Sequence, residues 1–215
     1  MTDTIIFDLD GTLLDTLTDL MDSVNFALDK FGYPERTYDE IRRFVGNGVR
    51  VLMQRSVPGG VVGEEFEKAF NVFRDHYLKN MRNKTDAYGG IRETLKVLKA
   101  HGYKIGVVSN KLDAAVKELC EDYFGSLVDY AKGADGENDR KPNPENTWKC
   151  IDSLGAKREN CIYVGDSEVD IKTAENAGLP CISVSWGFRT RDELTANSAK
   201  RIIDKPQELL GILGL

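Results

Sequence analysis

The sequence predicts an α/β protein: a doubly wound parallel sheet interrupted, after its first strand, by an inserted block of helices. Three observations predict it. The short apolar runs Thr4–Phe7, Lys104–Val108, Cys161–Val164 and Cys181–Val184 have the length and flanking turns of strands buried on both faces. From residue 85 onward such runs alternate with stretches of helical periodicity, the pattern of parallel strands covered by helices. Between the first and second runs, residues 16–84 carry two apolar stripes at helical spacing and read as helical throughout.

Taken in order, Thr4–Phe7 runs into Asp8-Leu-Asp-Gly-Thr-Leu-Leu-Asp15. Side chains alternate along a strand, so Asp8 and Asp10 leave it on the same side. Two adjacent carboxylates repel unless a cation or a shared proton offsets their charge. Gly11 and Thr12 then turn the chain. Leu17, Leu20, Val24, Leu28 and Phe31 mark a helix, with Thr16 and Asp19 as its capping pair and Gly32-Tyr-Pro34 as its end. Pro58-Gly-Gly60 and Gly63 mark a loop. Phe66, Phe70, Phe73, Tyr77 and Met81 form the second stripe, read like the first as helix packing. Ile91, Leu95 and Leu98 mark the next helix, and further helices are expected near 112–122 and 168–177, the latter ended by Gly178 and Pro180. Asn143-Pro144 reads as a cap followed by a favoured first helical residue. The domains predicted are a core of 1–15 with 85–215 and a helical insert of 16–84.

The chain has 215 residues, 41% of them hydrophobic and 30% charged, enough for a core and suited to a soluble protein. No apolar stretch approaches the ~20 residues of a membrane span. No leader pattern precedes the first strand, so the expected location is the cytoplasm. The net charge of −6 argues against nonspecific nucleic-acid binding. The acidic excess lies outside 16–84, so an anionic substrate would face an acidic core and need a metal ion and placed lysines. Cys120, Cys150, Cys161 and Cys181 make no CxxC pair and read as reduced, mostly buried thiols; no Cys-x5-Arg loop is present. His76 and His101 are the only histidines, which argues against a histidine-rich metal site or a paired-histidine mechanism.

Four segments fall where open α/β sheets bind ligands, at the carboxyl ends of strands. They are Asp8–Thr12, Ser109-Asn110, Lys141 and Gly165-Asp166-Ser-Glu-Val-Asp170. In order and spacing they resemble the four motifs of the haloacid dehalogenase (HAD) superfamily, mostly phosphatases, and the resemblance covers essentially the whole chain. The resemblance implies a Rossmann-like core with an inserted helical cap that serves as a lid. It implies Asp8 as the nucleophile that forms an aspartyl-phosphate, and Asp10 as the acid and then the base. It implies Mg²⁺ held by Asp8, Asp166 and the Asp10 backbone carbonyl, with Asp170 as an indirect or water-mediated partner. The chemistry suits such a group, because Mg²⁺ prefers oxygen ligands and phosphoryl transfer needs its charge neutralised. Lys141 would stabilise the nucleophile and the phosphoryl oxygens. Ser109, Asn110, Gly11 and Thr12 would bind phosphate. Lys111 and Arg140 are read as solvated neighbours.

Within the insert, Gly46 and Gly48 around Asn47 suggest a turn that opens a helix and presents backbone N–H groups and Arg50 to a small anion. A plain helix–helix connection accounts for Asn47, Gly48 and Arg50 equally well. This segment resembles the corresponding part of phosphoglycolate phosphatases, which implies hydrolysis of a small phosphorylated metabolite. Pyrophosphatases and sugar-phosphate phosphatases share the cap type. A β-phosphoglucomutase-like mutase, a non-catalytic binding module and a dehalogenase are the further alternatives. Ser109-Asn110 argues against the mutase, and Asp10 against the dehalogenase. The expected partner is a small metabolite rather than nucleic acid or membrane, with the chain a monomer or homodimer.

Overall fold

Thr4–Phe7 forms the first strand, β1, at the bounds its apolar run predicts, in a computed structural model that describes residues 2–136 and 138–215. The chain then forms four helices: α1 (Leu17–Lys30), α2 (Tyr38–Phe44), α3 (Val49–Ser56) and α4 (Gly63–Asn80). Strands and helices alternate thereafter. They are α5 (Ile91–Ala100), β2 (Lys104–Leu112), α6 (Asp113–Phe124), β3 (Tyr130–Ala134), α7 (Glu145–Ser153), β4 (Cys161–Gly165), α8 (Glu168–Ala177), β5 (Cys181–Val184), α9 (Arg191–Ala196), β6 (Ile202–Ile203) and α10 (Glu208–Leu213). Two compact units result: residues 1–14 with 87–215, and residues 15–86. The two-residue strands Leu14–Asp15 and Asp86–Ala87 pair where the chain passes between them.

In the larger unit six parallel strands stand in the order β3-β2-β1-β4-β5-β6. The order reverses at β1, so the carboxyl ends of β1, β2 and β4 border the crevice where such sheets bind ligands. Strand β1 is central and buried along its whole length. Ile6 pairs in register with Tyr163, and Phe7 with Val164. Ile6, Val108 and Tyr163 face Cys150, Ile151, Ala174 and Ala177 of α7 and α8. On the opposite face Phe7 and Val164 line a small cavity together with Ile91, Leu95 and Leu209 of α5 and α10. Each Val, Leu, Ile or Phe side chain among them, fully buried, stabilises by about 1.5–3 kcal/mol. Gly106 lets α7 approach the sheet closely, since a Cβ there would collide with the Cys150 sulfur. All four thiols are free, and burial raises each thiol's pKa, that of Cys120 to about 12.

Some elements depart from the expected pattern. Strand β2 runs four residues past Val108, with a bulge between Val108 and Leu112, so Ser109 and Asn110 lie inside the strand. Strand β3 has no sequence signal, because Tyr-Ala-Lys-Gly-Ala carries no apolar run and sits at the sheet edge. Helix α7 begins one residue later than expected. Pro144 caps it, while the Asn143 side chain accepts the Glu145 N–H at 2.9 Å. Among the described residues no helix is long and apolar enough to cross a membrane.

In the helical unit, α1 and α4 bury the predicted stripes, including Leu17, Leu20, Val24, Leu28, Phe66, Phe73 and Tyr77. Gly63 opens α4 rather than lying in the preceding loop. The expected pairing of Thr16 with Asp19 does not form, and the Thr16 hydroxyl is buried without a hydrogen bond. Asp19 instead accepts the N–H of Lys84 at 3.0 Å, and the N–H and hydroxyl of Thr85, both at 2.9 Å. A buried carboxylate with several charge-assisted bonds outcompetes a local cap, because its desolvation must be offset. Asp19 thereby ties the first turn of α1 to the segment after α4. Asp19→Ala, which leaves these donors without their acceptor, is expected to cost about 3 kcal/mol, read as a lowered urea midpoint. An unchanged midpoint would show that these bonds carry no weight.

Candidate active site

The end of β1 delivers Asp8 to the centre of the sheet's carboxyl edge. Its N–H donates to the Val164 carbonyl at 2.9 Å, which continues the ladder one residue past the strand. The following turn closes on itself: Gly11 N–H donates to Leu14, and Thr12, Leu13 and Leu14 N–H donate to Leu9. The N–H groups of Gly11 and Thr12, expected to face phosphate, therefore shape this turn instead. Gly11 adopts φ +87°, and a Cβ there would collide with the Asp166 carboxylate, so only glycine fits.

Lys141 is the central cation. It is buried, and its ammonium lies 2.8 Å from Asp8 Oδ1 and 2.7 Å from Asp170 Oδ1. Asp170, in the first turn of α8, has both oxygens occupied. Oδ1 also accepts the Tyr163 hydroxyl at 3.3 Å, and Oδ2 accepts the Ser167 N–H at 3.1 Å and hydroxyl at 2.6 Å. Asp170 is thus a holder of Lys141. Asn110 fixes the lysine's backbone: its Oδ1 accepts the Lys141 N–H at 2.6 Å and its Nδ2 donates to the Lys141 carbonyl at 3.1 Å. The amide expected to bind a phosphoryl oxygen is committed to this peptide. Ser109 Oγ accepts the Lys111 N–H at 3.3 Å, which leaves its hydroxyl proton available to donate.

Asp166 follows β4 and is buried, its Oδ2 accepting the Phe188 N–H at 2.6 Å. The loop that supplies this donor is anchored by Trp186, whose indole N–H donates to the Thr12 carbonyl at 3.0 Å. Arg189 next to it grips Glu168 through two bonds, at 2.8 and 3.2 Å. A Cβ at Gly187 would strike the Gly11 carbonyl and Asp166, so this loop packs backbone to backbone against the turn.

Asp8, Asp166 and Asp170 each place a carboxylate oxygen within 4.8 Å of the others, and all three are buried. Burial pushes Asp8 up to about 7, with Asp170 and Asp10 adding to the rise and Lys141 opposing it. Burial likewise holds Asp166 well above the usual carboxylate range, reinforced by Asp170 and Asp8. Lys141 goes the other way: burial opposes its charge, but Asp170 and Asp8 overcome this and raise its pKa. One lysine among three buried carboxylates leaves negative charge uncompensated. With Asp170 saturated by donors, Asp8 and Asp166 fit a hard, oxygen-seeking dication such as Mg²⁺.

Sequence reasoning missed several participants. Lys111 is not solvated: it is buried, with its ammonium 2.7 Å from Asp10 Oδ1. Arg140 is half-buried, with its Nε enclosed and, among the described residues, without a hydrogen bond. Tyr163 read only as a strand residue. The loop Trp186–Arg189 carries no motif, and its contribution to Asp166 is a backbone N–H, which no residue pattern announces. In the helical unit, Asn47 is half-buried and Gly48 precedes α3 at φ +86°. The Arg50 guanidinium pairs with Glu67 and lies over the rings of Phe66 and Phe70 at 5.0 and 5.2 Å. Its charge is therefore engaged within that unit.

The chain is similar to known proteins over nearly its whole length. The profile of the haloacid dehalogenase-like hydrolases matches residues 5–184. A phosphoglycolate phosphatase of Aquifex aeolicus is 32% identical over 215 residues, spanning 97% of this chain and 95% of that protein. Phosphoglycolate phosphatase 1 of Pseudomonas aeruginosa is 31% identical over 212 residues, spanning 96% and 78% respectively. The crystal structure of a phosphoglycolate phosphatase candidate from Lactobacillus delbrueckii subsp. bulgaricus superposes with a TM-score of 0.92 at 34% identity, covering 99% of each chain.

The raised carboxylates have a consequence for stability. A carboxyl whose folded pKa lies above its unfolded value favours folding at low pH, and that contribution is lost as pH rises through the folded value. Asp8 therefore weakens the metal-free protein increasingly from the ordinary carboxylate range up through about 7, and Asp166, raised well above that range, acts in the same direction. A divalent cation binds the ionised forms. The rise in unfolding temperature on adding Mg²⁺ to chelator-stripped protein is expected to be larger near pH 8 than near pH 5. Equal rises at the two would contradict the assignment of these carboxylates.

Proposed function

Because the chain belongs to the haloacid dehalogenase-like hydrolases, we propose that it hydrolyses a small phosphate monoester, phosphoglycolate foremost, through a phosphorylated Asp8. The observation that carries this reading is the Asp8–Lys141–Asp170 array, a buried carboxylate held against a fixed cation. Neither a binding module nor a structural strand end needs so costly an arrangement.

A phosphate monoester is a dianion that repels a carboxylate nucleophile, so positioning and charge neutralisation dominate catalysis. Asp8 Oδ attacks phosphorus while the ester P–O bond breaks and its electron pair leaves on the alkoxide. Asp10, whose side chain is part-exposed, protonates that oxygen. A water then attacks phosphorus of the acyl-phosphate, Asp10 takes its proton, and Asp8 departs as a free carboxylate. The Lys141 ammonium stabilises the phosphoryl oxygens as a point charge and is held in place by Asp170 and Asn110. The Ser109 hydroxyl donates to a second phosphoryl oxygen. Asp8, Asp166 and the Asp10 carbonyl would hold Mg²⁺, which when bound neutralises phosphoryl charge.

Phosphoglycolate comes first because relatives at 32% and 34% identity that span nearly the whole chain bear the name phosphoglycolate phosphatase. Pyrophosphate and sugar phosphates are the competing substrates. Asp8→Asn is expected to abolish phosphate release, by at least about 10³-fold, while leaving the fold intact. Retained turnover would remove Asp8 as nucleophile. EDTA is expected to stop phosphate release and excess Mg²⁺ to restore it; chelator-insensitive turnover would contradict the metal role of Asp8 and Asp166. Rapid isomerisation of glucose 1-phosphate without net phosphate release would overturn hydrolysis in favour of a mutase.

A further inference from the structure

We propose that Lys111 is the positioning residue for proton transfer by Asp10, holding one oxygen of that carboxylate so that the other meets the leaving group and then the water. The inference rests on the reading of Asp10 as acid and base. The Lys111 ammonium lies 2.7 Å from Asp10 Oδ1, with its side chain 2% exposed and that of Asp10 19% exposed. Burying a lysine is costly unless its charge is paired, and this one has been drawn out of solvent to meet the part-exposed carboxylate. Its route is built into the sheet. The register of β2 against its neighbour shifts between Val108 and Leu112, and Lys111 lies within that irregular stretch. Irregularities of this kind beside active sites can re-aim side chains. Ser109 Oγ takes the Lys111 N–H, and a Cβ at Gly133 on the neighbouring strand would strike the Lys111 carbonyl. The segment Ser109-Asn110-Lys111 therefore organises both halves of the chemistry. Asn110 fixes the lysine beside the nucleophile, and Lys111 fixes the proton carrier.

The anchor is compatible with both proton states. An ammonium donates to Oδ1 whether or not Oδ2 carries a proton. In the first step the ester P–O bond breaks, its electron pair goes to the leaving oxygen, and the Oδ2 proton follows. In the second, the water's proton goes to Oδ2 as its oxygen bonds to phosphorus and the Asp8–phosphorus bond breaks. Without Lys111 the carboxylate rotates freely, and the loss falls on substrates whose leaving oxygen needs a proton.

That gives a test that a merely structural role would not pass. The value of kcat/KM covers steps up to release of the alcohol, so it reports on proton donation and not on hydrolysis of the acyl-phosphate. It is measured for phosphate monoesters whose leaving groups run from p-nitrophenol to simple alcohols, with Lys111→Met, Lys111→Arg and Asp10→Asn in the full chain. Lys111→Met is expected to lose about 100-fold more on alkyl phosphates than on p-nitrophenyl phosphate, in the range of a general acid's contribution. Lys111→Arg keeps the charge and is expected to recover most of that difference, and Asp10→Asn is expected to show the same steepened dependence. Lys111→Gln, polar and of similar bulk, gives the same comparison if the methionine variant does not fold. An equal loss on all esters in the Lys111 variants, beside a steep dependence in Asp10→Asn, would overturn the role of Lys111 and leave that of Asp10 standing. Equal loss on all esters in Asp10→Asn would overturn the acid role of Asp10 and the positioning role with it.

Discussion

A single ammonium, that of Lys141, lies between the carboxylates of Asp8 and Asp170, and the site depends on that contact. All three groups are out of solvent. Removing one partner of a buried ion pair typically costs about 3–5 kcal/mol, because the other charge is left uncompensated. Here the loss would take the cation from two carboxylates rather than one, with that of Asp166 close by. The lysine is accordingly held from several sides: Asp170 at its head, the Tyr163 ring 5.9 Å away, and the Asn110 amide on both sides of its peptide. Four donors in turn fix Asp170. A carboxylate beside a cation this constrained has little reorganisation left to do, as the proposed attack on a phosphoryl group requires.

The parallel sheet makes such an array possible. Parallel strands send their carboxyl ends to one edge, so β1, β2 and β4 deliver Asp8, the Ser109-Asn110-Lys111 segment and Asp166 to one crevice from distant parts of the chain. Close backbone approach does the rest. Glycines at 11, 165 and 187 stand where any Cβ would strike Asp166 or Asp170. Packing of this kind places acceptors beside one another at distances that only a cation or shared protons can stabilise, and the raised pKa values of Asp8 and Asp166 are the electrostatic record of it.

Much of this was legible in the residues. β1 and β5 lie at the bounds of their apolar runs, and α8 ends at Gly178 as its left-handed conformation requires. The positions of Asp8, Asp166 and Asp170 were legible because each follows a strand or lies in a helix's first turn at the same edge, and that of Lys141 because it shortly precedes the helix that Asn143-Pro144 announces. What stayed hidden shares one physical cause: it depends on tertiary packing and not on local pattern. Strand β3 is an edge strand without an apolar run. Lys111 follows two polar residues and looked solvated, yet it lies in the irregular stretch of β2 with its ammonium paired inward to Asp10. The Phe188 N–H that bonds Asp166 belongs to a loop whose sequence says nothing about which donor it exposes. Asp19 looked like half of a local cap and is instead a long-range tie, because a carboxylate buried beside several donors finds more there than at its own helix end.

The central claim is that Asp8, charged and held against Lys141, becomes covalently phosphorylated. Acid-quenching the enzyme during its first turnover with phosphoglycolate, then reducing with borohydride and mapping peptides, tests it directly. Reduction converts an aspartyl-phosphate to homoserine, so homoserine is expected at position 8 and unmodified aspartate at positions 10, 166 and 170. Homoserine at another of these positions, or none anywhere while phosphate is released in a burst, would contradict it.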